Sequence, residues 1–308
     1  MQKIYKPQDL SLPPFARLCA DSKPPFFAVF GQPIEHSLSP FMQNAAIAEI
    51  AKTDTSYAGS KYFAFEVDPY NLAEVLELFE GKNFLGINLT IPHKEVVMKI
   101  VKDFDESATF ANACNTLLRT KDGWRGFNTD GFGLSAAVEN AFGRKFNGAD
   151  VVLLGAGGAA RGAAALAAKS TCRSLIVANR SPNRLAEFAK DFAARGVKME
   201  AMPLDGIEKQ IPKGAIVINS TSVGLGEFDE PVIDFSKVPE DCAFFDMPYR
   251  RSGETASVKA ARTFDIPAEN GLAMLAWQGA KSLSIWTGKP LYGSLMLETL
   301  KHRLYGHL

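Results

Sequence analysis

Short apolar runs alternate with longer segments of helical apolar spacing along most of the 308-residue chain. This alternation is typical of α/β proteins with mainly parallel strands. In the first part of the chain, strands are predicted at FFAVFG (26–31), KYFAFEV (61–67), FLGINLT (84–90) and ACNTLLRT (113–120), the last opening a hairpin that ends at FNTDG (127–131). Helices are predicted at 40–51, 70–80 and 94–101, the first with Ser39 as N-cap and Pro40 at its first position.

A second set of strands begins after a boundary near residues 132–149. Four further apolar runs lie in VVLLG (151–155), SLIVANRS (174–181), AIVINSTS (215–222) and CAFFDMPY (242–249), which predicts a second parallel sheet. After Pro267 the pattern is helical to the end of the chain. The first 25 residues are rich in proline and are predicted to form an irregular arm.

Composition narrows the classes of partner. The chain has 34 basic and 34 acidic residues and no basic run, so nothing indicates nucleic acid or an anionic membrane. No apolar run approaches the ~18 residues that a membrane span needs. The scattered cysteines, Cys19, Cys114, Cys172 and Cys242, lack metal-ligand spacing and are expected to be free thiols in a reducing cytoplasm.

A glycine-rich turn follows the first strand of the second set. The stretch Gly155-Ala156-Gly157-Gly158-Ala159 leads from that strand into an alanine-rich helix. Glycines let the backbone approach a pyrophosphate, and the helix N-terminus supplies N–H groups, so the turn predicts dinucleotide binding. A tight turn without a ligand is the alternative.

The next strand indicates which dinucleotide is bound. NAD-binding units usually end this strand with an acidic residue that binds the ribose, whereas this chain has Asn179, Arg180, Ser181 and Arg184. Guanidinium groups pair with phosphate, so these residues favour NADP. A solvated helix start is the alternative interpretation of the two arginines.

Lys94 is the best acid/base candidate. It follows a predicted strand, at the end where open α/β sheets bind ligands, and hydride transfer to a carbonyl needs a proton donor. Asp130 of NTDG could hold the ammonium group. The alternatives are a solvated lysine and an N-cap aspartate.

Further polar residues lie at positions where structure alone gives no clear reason for them. Ser37 and Ser39 could bind a carboxylate, although capping would explain Ser39. Asn115 and Gln278 lie in apolar surroundings, where an unpaired amide costs about 1–3 kcal/mol. A hydroxylated ligand or a neighbouring backbone group would satisfy them.

Nine motifs together resemble the shikimate dehydrogenase family: HSLSP, NLTIPHKE, ACNTL, NTDG, GAGGAARG, NRS..R, INSTSVG, DMPY and GLAMLAWQ. The resemblance implies NADPH-dependent reduction of 3-dehydroshikimate to shikimate in aromatic amino acid (chorismate) biosynthesis. It also implies a substrate domain at residues 1–135, completed by helices in 269–308, and a Rossmann-like NADP-binding domain at 136–268, with the cleft between them.

The resemblance also implies the roles of individual residues. Lys94 would be the acid/base and Asp130 its partner. The substrate carboxylate would be held by Ser37, Ser39 and Tyr249, and its hydroxyls by Thr90, Asn115 and Gln278. On the cofactor, the pyrophosphate would be held by Gly155 to Ala159. The ribose phosphate would be bound by Asn179, Arg180, Ser181 and Arg184. The nicotinamide side would be lined by Thr221, Met247, Gly271 and Met274, with Glu106 nearby.

Two alternatives stay open. A paralogous quinate/shikimate dehydrogenase would differ in substrate or prefer NAD. A ligand-sensing module would be expected to have lost Lys94 or Asp130 and to carry a DNA-binding segment, whereas this chain keeps both residues and has no basic region. The expected partner is a small-molecule substrate, and the expected state is a monomer or homodimer.

Overall fold

Two compact units make up the protein. The first comprises Met1–Thr129 and Ala276–Leu308, and the second comprises Asp130–Leu275. The computed structural model describes residues 3–18, 23–226, 228–250 and 253–306, so Cys19 lies outside the described residues. The units divide at residues 129 and 275, whereas the sequence analysis placed the limits at 135 and 268.

A mainly parallel sheet forms the centre of the first unit. Its strands are β1 (Ile4–Tyr5), β2 (Phe26–Gly31), β3 (Tyr62–Glu66), β4 (Phe84–Leu89), β5 (Asp103–Phe104), β6 (Thr116–Thr120) and β7 (Gly123–Phe127). Their order is β1-β3-β2-β4-β6-β7-β5. Strand β2 pairs in parallel with β3 and β4, while β6 runs antiparallel to both β4 and β7. The predicted hairpin is therefore confirmed.

Helices follow the strands of this sheet. They are α1 (Ser39–Thr53), α2 (Leu72–Glu80), α3 (His93–Val96) and α4 (Glu106–Ala111). The predicted helix at 94–101 is wrong in length, since α3 passes into a 3₁₀ turn at Val97–Lys99. Two adjacent β-branched valines, Val96 and Val97, disfavour a continuing α-helix.

The N-terminal arm is part of this unit rather than irregular. Strand β1 pairs in parallel with β3, and a 3₁₀ helix at Pro7–Ser11 follows it. The Phe15 ring is fully buried, with its centroid 4.9 Å from that of Phe63 and 5.5 Å from that of Phe65. A strand of only two residues is too short to show an apolar period, which is why β1 was not predicted.

The second unit contains a six-stranded sheet in which every adjacent pair is parallel. Its strands are β8 (Asp150–Leu154), β9 (Ser174–Asn179), β10 (Glu200–Pro203), β11 (Ile216–Asn219), β12 (Ala243–Asp246) and β13 (Ala268–Asn270). Its helices are α5 (Asp130–Phe142), α6 (Gly158–Lys169), α7 (Pro182–Ala193) and α8 (Ala256–Thr263). The order β10-β9-β8-β11-β12-β13 is the Rossmann arrangement.

Two helices end the chain. They are α9 (Leu272–Thr287) and α10 (Gly293–Tyr305). From Ala276 onward these residues belong to the first unit. Helix α10 packs against α1, where the Arg303 guanidinium lies 4.7 Å from the centre of the Phe41 ring. None of the helices in the described ranges is both long and apolar enough to cross a membrane.

Candidate active site

Lys94 follows strand β4 through a short turn. The Thr90 N–H donates to the Phe30 carbonyl at 2.9 Å, which attaches the start of the turn to strand β2. The His93 N–H then donates to the Thr90 carbonyl at 2.8 Å, and the Lys94 carbonyl accepts from the Cys114 N–H at 2.8 Å. The turn is held at both ends, and the side chains of Thr90 and Lys94 are half-buried there.

His93 differs sharply from its neighbour Lys94, because its side chain is fully buried. Loss of hydration lowers the pKa of His93 from 6.5 to about 4, although the Val67 carbonyl and the Asp68 carboxylate act weakly in the opposite direction. The imidazole is therefore neutral near neutral pH.

Ser37 and Ser39 lie at the start of helix α1. Leu38 occupies the N-cap position, and Ser39 is the first helical residue, so the predicted N-cap role of Ser39 is wrong. The Ser37 Oγ accepts from the Ser39 N–H at 3.3 Å. Capping therefore no longer explains why a serine stands at position 39.

Asn115 and Gln278 come together although they are 163 residues apart. The Asn115 Nδ2 donates to the Gln278 Oε1 at 3.3 Å and to the Thr129 Oγ1 at 2.9 Å. The Asn115 Oδ1 accepts from the Thr129 N–H at 2.9 Å. Asn115 is 2% exposed, whereas Gln278 is half-buried, so the pair extends from the interior towards the surface of the first unit.

Two acidic candidates begin helices. Asp130 is the first residue of α5, one position after the N-cap, and is 3% exposed. Glu106 is the first residue of α4 and is exposed. The positive end of the helix dipole favours a carboxylate at both positions. Asp130 belongs to the second unit and Lys94 to the first, and their partnership stays a prediction.

The turn between β8 and α6 requires glycine. Gly155 has φ +112°, and a Cβ at this position would lie 2.7 Å from the Ser220 Oγ. The buried Ala156 follows, and Gly157 is the N-cap of α6, without a side chain to cap the N–H groups of Gly158 and Ala159. A helix start of this kind binds phosphate.

The polar residues after β9 are mostly exposed. The Asn179 Nδ2 donates to the Ser181 carbonyl at 3.0 Å, and Ser181 caps α7 by accepting from the Arg184 N–H at 3.4 Å. An Arg184 nitrogen lies 3.7 Å from the position of a Cβ built on Gly157, so its guanidinium lies beside the glycine turn. A cavity of about 430 Å³ adjoins this segment, and its lining includes Asn179, Arg180, Pro182, Pro203 and Leu204.

Thr221 is held by a buried polar cluster that the sequence analysis missed. The Asn219 Oδ1 accepts from the Thr221 N–H at 3.0 Å and from the Thr221 Oγ1 at 2.7 Å. The Asn219 Nδ2 donates to the Asp246 carboxylate at 2.7 Å, and Thr255 donates to its other oxygen. Burial raises the pKa of Asp246 to about 6, against the effect of these two donors. A carboxylate ending the apolar run AFFD was the available signal.

The remaining candidates follow β12 and β13. Gly271 lies so close to Met247 that a Cβ on it would overlap the Met247 carbonyl oxygen, at 1.8 Å. Met274 is 8% exposed, while Met247 and Tyr249 are half-buried. The close backbone approach explains why glycine stands at the start of GLAMLAWQ.

The predicted residues divide between the two units. The first unit contains Ser37, Ser39, Thr90, Lys94, Glu106, Asn115 and Gln278; the second contains the others. Four polar residues around Asn115 and Gln278 were missed, namely Asn88, Thr116, Thr129 and Ser282. Asn88 and Thr116 lie inside the quoted motifs NLTIPHKE and ACNTL, so their polar character within strands was the available signal.

Known families match most of both units. Residues 29–117 match the family model for the shikimate dehydrogenase substrate binding domain, and residues 136–240 match that for shikimate / quinate 5-dehydrogenase. The chain belongs to the shikimate dehydrogenase family. Members of this family are oxidoreductases.

Relatives within the family cover nearly the whole chain. A shikimate dehydrogenase (NADP(+)) of Methanothrix thermoacetophila is 38% identical over 85% of this chain and 91% of its own length. A shikimate dehydrogenase solved in complex with NADP+ superposes with a TM-score of 0.81 at 33% identity, covering 91% of this chain and 96% of the other. The Thermus thermophilus enzyme, solved with NADP(H) and shikimate, gives a TM-score of 0.75 at 31% identity, covering 91% and 100%.

Proposed function

We propose that this protein catalyses the NADP-dependent, reversible reduction of 3-dehydroshikimate to shikimate, in the cytoplasm and in the pathway to chorismate. The observation that carries the proposal is the pairing of Asn115 with Gln278 in the unit that also contains Lys94. Two amides fixed relative to each other suit a substrate with several hydroxyl groups. The family relatives named for this reaction support the choice.

The second unit fits NADP. Gly157 of the glycine turn at Gly155–Ala159 begins helix α6 without a side chain that would cap the N–H groups, which could then bind a pyrophosphate. Arg180 and Arg184 follow β9, where an acidic residue would repel a 2′-phosphate. Asn179 and Ser181 would contact the adenosine ribose, while Thr221, Met247, Gly271 and Met274 would line the nicotinamide side, with Glu106 nearby. When bound, NADPH supplies a hydride to the substrate carbonyl carbon.

Lys94 would donate the proton in this reduction. The substrate oxygen must take up a proton when the carbonyl is reduced, and a lysine ammonium is a group that could donate it. Neutral His93 leaves Lys94 as the only positive group of this adjacent pair. In the reverse direction, the neutral amine would accept the proton from shikimate. Asp130 would hydrogen-bond the ring hydroxyls and balance the charge of the lysine.

The other groups would orient the substrate. Ser37, Ser39 and Tyr249 would bind the carboxylate through their hydroxyls, and a hydroxyl not used in helix capping is available at Ser39. Thr90, Asn115 and Gln278 would bind the ring hydroxyls. A site built to hydrogen-bond a hydroxyl rejects analogues that lack it, because the protein groups are then left unpaired.

Initial rates with shikimate and with quinate, each offered NADP⁺ and NAD⁺, test the proposal. Rapid turnover with shikimate and NADP⁺ alone is the expected result. Rapid turnover of quinate with NAD⁺ would identify the paralogous activity that the name of the second family model also covers. Binding of NADP⁺ with negligible turnover of both acids would overturn the proposed substrate and favour a sensing role or another acid.

A further inference from the structure

Ser282 lies at the centre of a buried hydroxyl cluster in the first unit and is fully buried. Its Oγ lies 2.8 Å from the Thr116 Oγ1 and 3.2 Å from the Thr129 Oγ1. It also accepts from the Asn88 Nδ2 at 3.0 Å, and it lies 3.0 Å from the Gln278 carbonyl, to which it can donate. One hydroxyl thus connects helix α9 with strands β4 and β6 and with the residue before Asp130.

The side chain of Ser282 points in the same direction as that of Gln278. Residues 278, 282 and 286 are spaced by four along α9, so they lie on one helix face. One turn beyond Ser282, the Trp286 Nε1 donates to the Leu117 carbonyl at 2.9 Å. Gly86 gives the indole its space, since a Cβ there would lie 2.3 Å from the ring. Two side chains on this face therefore fix the rotation of α9 about its axis.

The amide of Asn115 has a defined orientation in this cluster. Its Oδ1 faces the Thr129 N–H, which can only donate, and it also accepts from the Thr116 Oγ1 at 3.0 Å. The Asn115 NH₂ group must then face the Gln278 Oε1. This contact turns the Gln278 NH₂ group away from Asn115, so the rotation of α9 decides where that donor is presented.

We propose that Ser282 is a positioning residue for substrate recognition: it fixes the rotation of α9 and thereby the direction of the Gln278 amide. The inference rests on the proposed role of Gln278 in binding substrate hydroxyls. Ser282 does not contact the substrate in this scheme. Its removal leaves the Asn88 Nδ2 with two acceptors, the Asn115 carbonyl at 3.0 Å and the Thr116 Oγ1 at 3.1 Å, so the fold survives the change.

The test is Ser282→Ala, with Ser284→Ala as a matched control on the half-buried side of the same helix. We expect the KM for shikimate to rise about tenfold in Ser282→Ala, the size of one lost hydrogen bond, with the KM for NADP⁺ changed less than about twofold. Ser284→Ala should match the wild type. A general structural defect would instead lower kcat and the melting temperature and would affect both substrates.

A double-mutant cycle with Gln278→Ala shows whether Ser282 acts through Gln278. If it does, adding Ser282→Ala to Gln278→Ala changes the KM for shikimate by less than about twofold. If the increase in KM of the double variant equals the product of the increases in the two single variants, the inference is overturned. An unchanged KM in Ser282→Ala alone would also overturn it. An unchanged KM in Gln278→Ala would instead remove Gln278 from the proposed function.

Discussion

Lys94 and His93 are sequence neighbours with opposite environments. The lysine side chain is half-exposed at the strand end, and the histidine is buried with its pKa lowered to about 4. Only the lysine of this pair therefore carries charge at the pH where the enzyme would work. Burial therefore keeps His93 uncharged, and the catalytic role proposed for Lys94 does not depend on a charged histidine next to it in sequence.

Replacing Lys94 by alanine should lower turnover of shikimate by about 10²–10⁴-fold, the contribution of a general acid/base. The NADP⁺ affinity should change little, because all residues of the proposed nucleotide site except Glu106 belong to the second unit. Steady-state kinetics and NADPH fluorescence titration measure the two effects. Lys99→Ala, an exposed lysine of the same segment, is the control. Full activity in Lys94→Ala would remove this residue from the chemistry.

Replacing both Arg180 and Arg184 by glutamine should lower the binding affinity for NADPH by roughly 10²-fold or more. The affinity for NADH should fall much less. A charge-assisted hydrogen bond is worth about 1.5–3 kcal/mol, and only NADPH carries the 2′-phosphate. Fluorescence titration with each nucleotide measures the difference. Lys190→Gln, at an exposed position of α7, controls for net charge. Equal weakening of both nucleotides would mean that the phosphate is held by other groups.

Single residues were predictable from the sequence where they follow a strand or interrupt an apolar run. Lys94, Asn115 and Gln278 are candidates chosen in this way, and their roles stay predictions. Their partners were not predictable, because Gln278 meets Asn115 across 163 residues and no local pattern records such a contact. Asp246 was missed although its motif was noted, since its burial depends on Asn219 and Thr255 from other segments.

At the scale of elements, the N-terminal arm changes the core of the first unit. Strand β1 extends the sheet beyond β3, and Phe15 enters an aromatic cluster that includes Phe63, Phe65 and Phe84. Edge-to-face aromatic pairs add about 0.5–1.5 kcal/mol beyond burial. The arm therefore belongs to the folded unit and is not an appendage.

Phe15→Ala should lower the free energy of unfolding of the first unit by about 3–5 kcal/mol, because it leaves a large cavity in a packed core. Urea denaturation measures this change. Phe228→Ala removes the same ring from a site that is 92% exposed and should change stability by less than about 0.5 kcal/mol. Similar values for the two variants would show that the arm contributes little to the core.

Elements with long apolar runs were predicted well, and short edge elements were not. Strands β2, β3, β4, β8, β9, β11 and β12 have continuous apolar signals. In contrast, β10 is largely exposed and β13 has three residues, so neither shows a usable period. Helix α3 was predicted too long because the helical spacing of apolar residues continues through Val96 and Val97. In the structure the α-helix ends at Val96 and a 3₁₀ turn begins at Val97.

For the whole molecule, two buried titratable groups give the units opposite responses to acid. His93 lies in the first unit with its pKa lowered to about 4, so between pH 6.5 and 4 the unfolded chain binds the proton first. Acid therefore destabilises the first unit by up to about 3 kcal/mol. Asp246 lies in the second unit with its pKa raised to about 6, so there the folded state binds the proton first. Protonation of Asp246 alone therefore contributes up to about 3 kcal/mol to the stability of that unit in acid.

Lowering the pH from 7 to 4.5 should thus shift the urea midpoint of the first unit downward relative to that of the second. Tryptophan fluorescence reports the first unit alone, because Trp124, Trp277 and Trp286 are the three tryptophans of the chain and all belong to it. Circular dichroism follows both units. His93→Leu should reduce the acid shift seen by fluorescence, and Asp246→Asn should leave that shift unchanged. If the acid shift of the fluorescence midpoint were the same in His93→Leu as in the wild type, this account would be contradicted.

The first unit is built from two segments that flank the second, and this affects how the chain is made. During synthesis, Asp130–Leu275 is made before Trp286. Gly86 on β4 packs against that indole, and the residues between them take roughly 10–40 s to synthesise. During this interval the face of β4 that packs against the Trp286 indole lacks its partner. The second unit is continuous in sequence and can begin to fold as soon as it is made, whereas the first unit cannot be completed until Ala276–Leu308 has been synthesised.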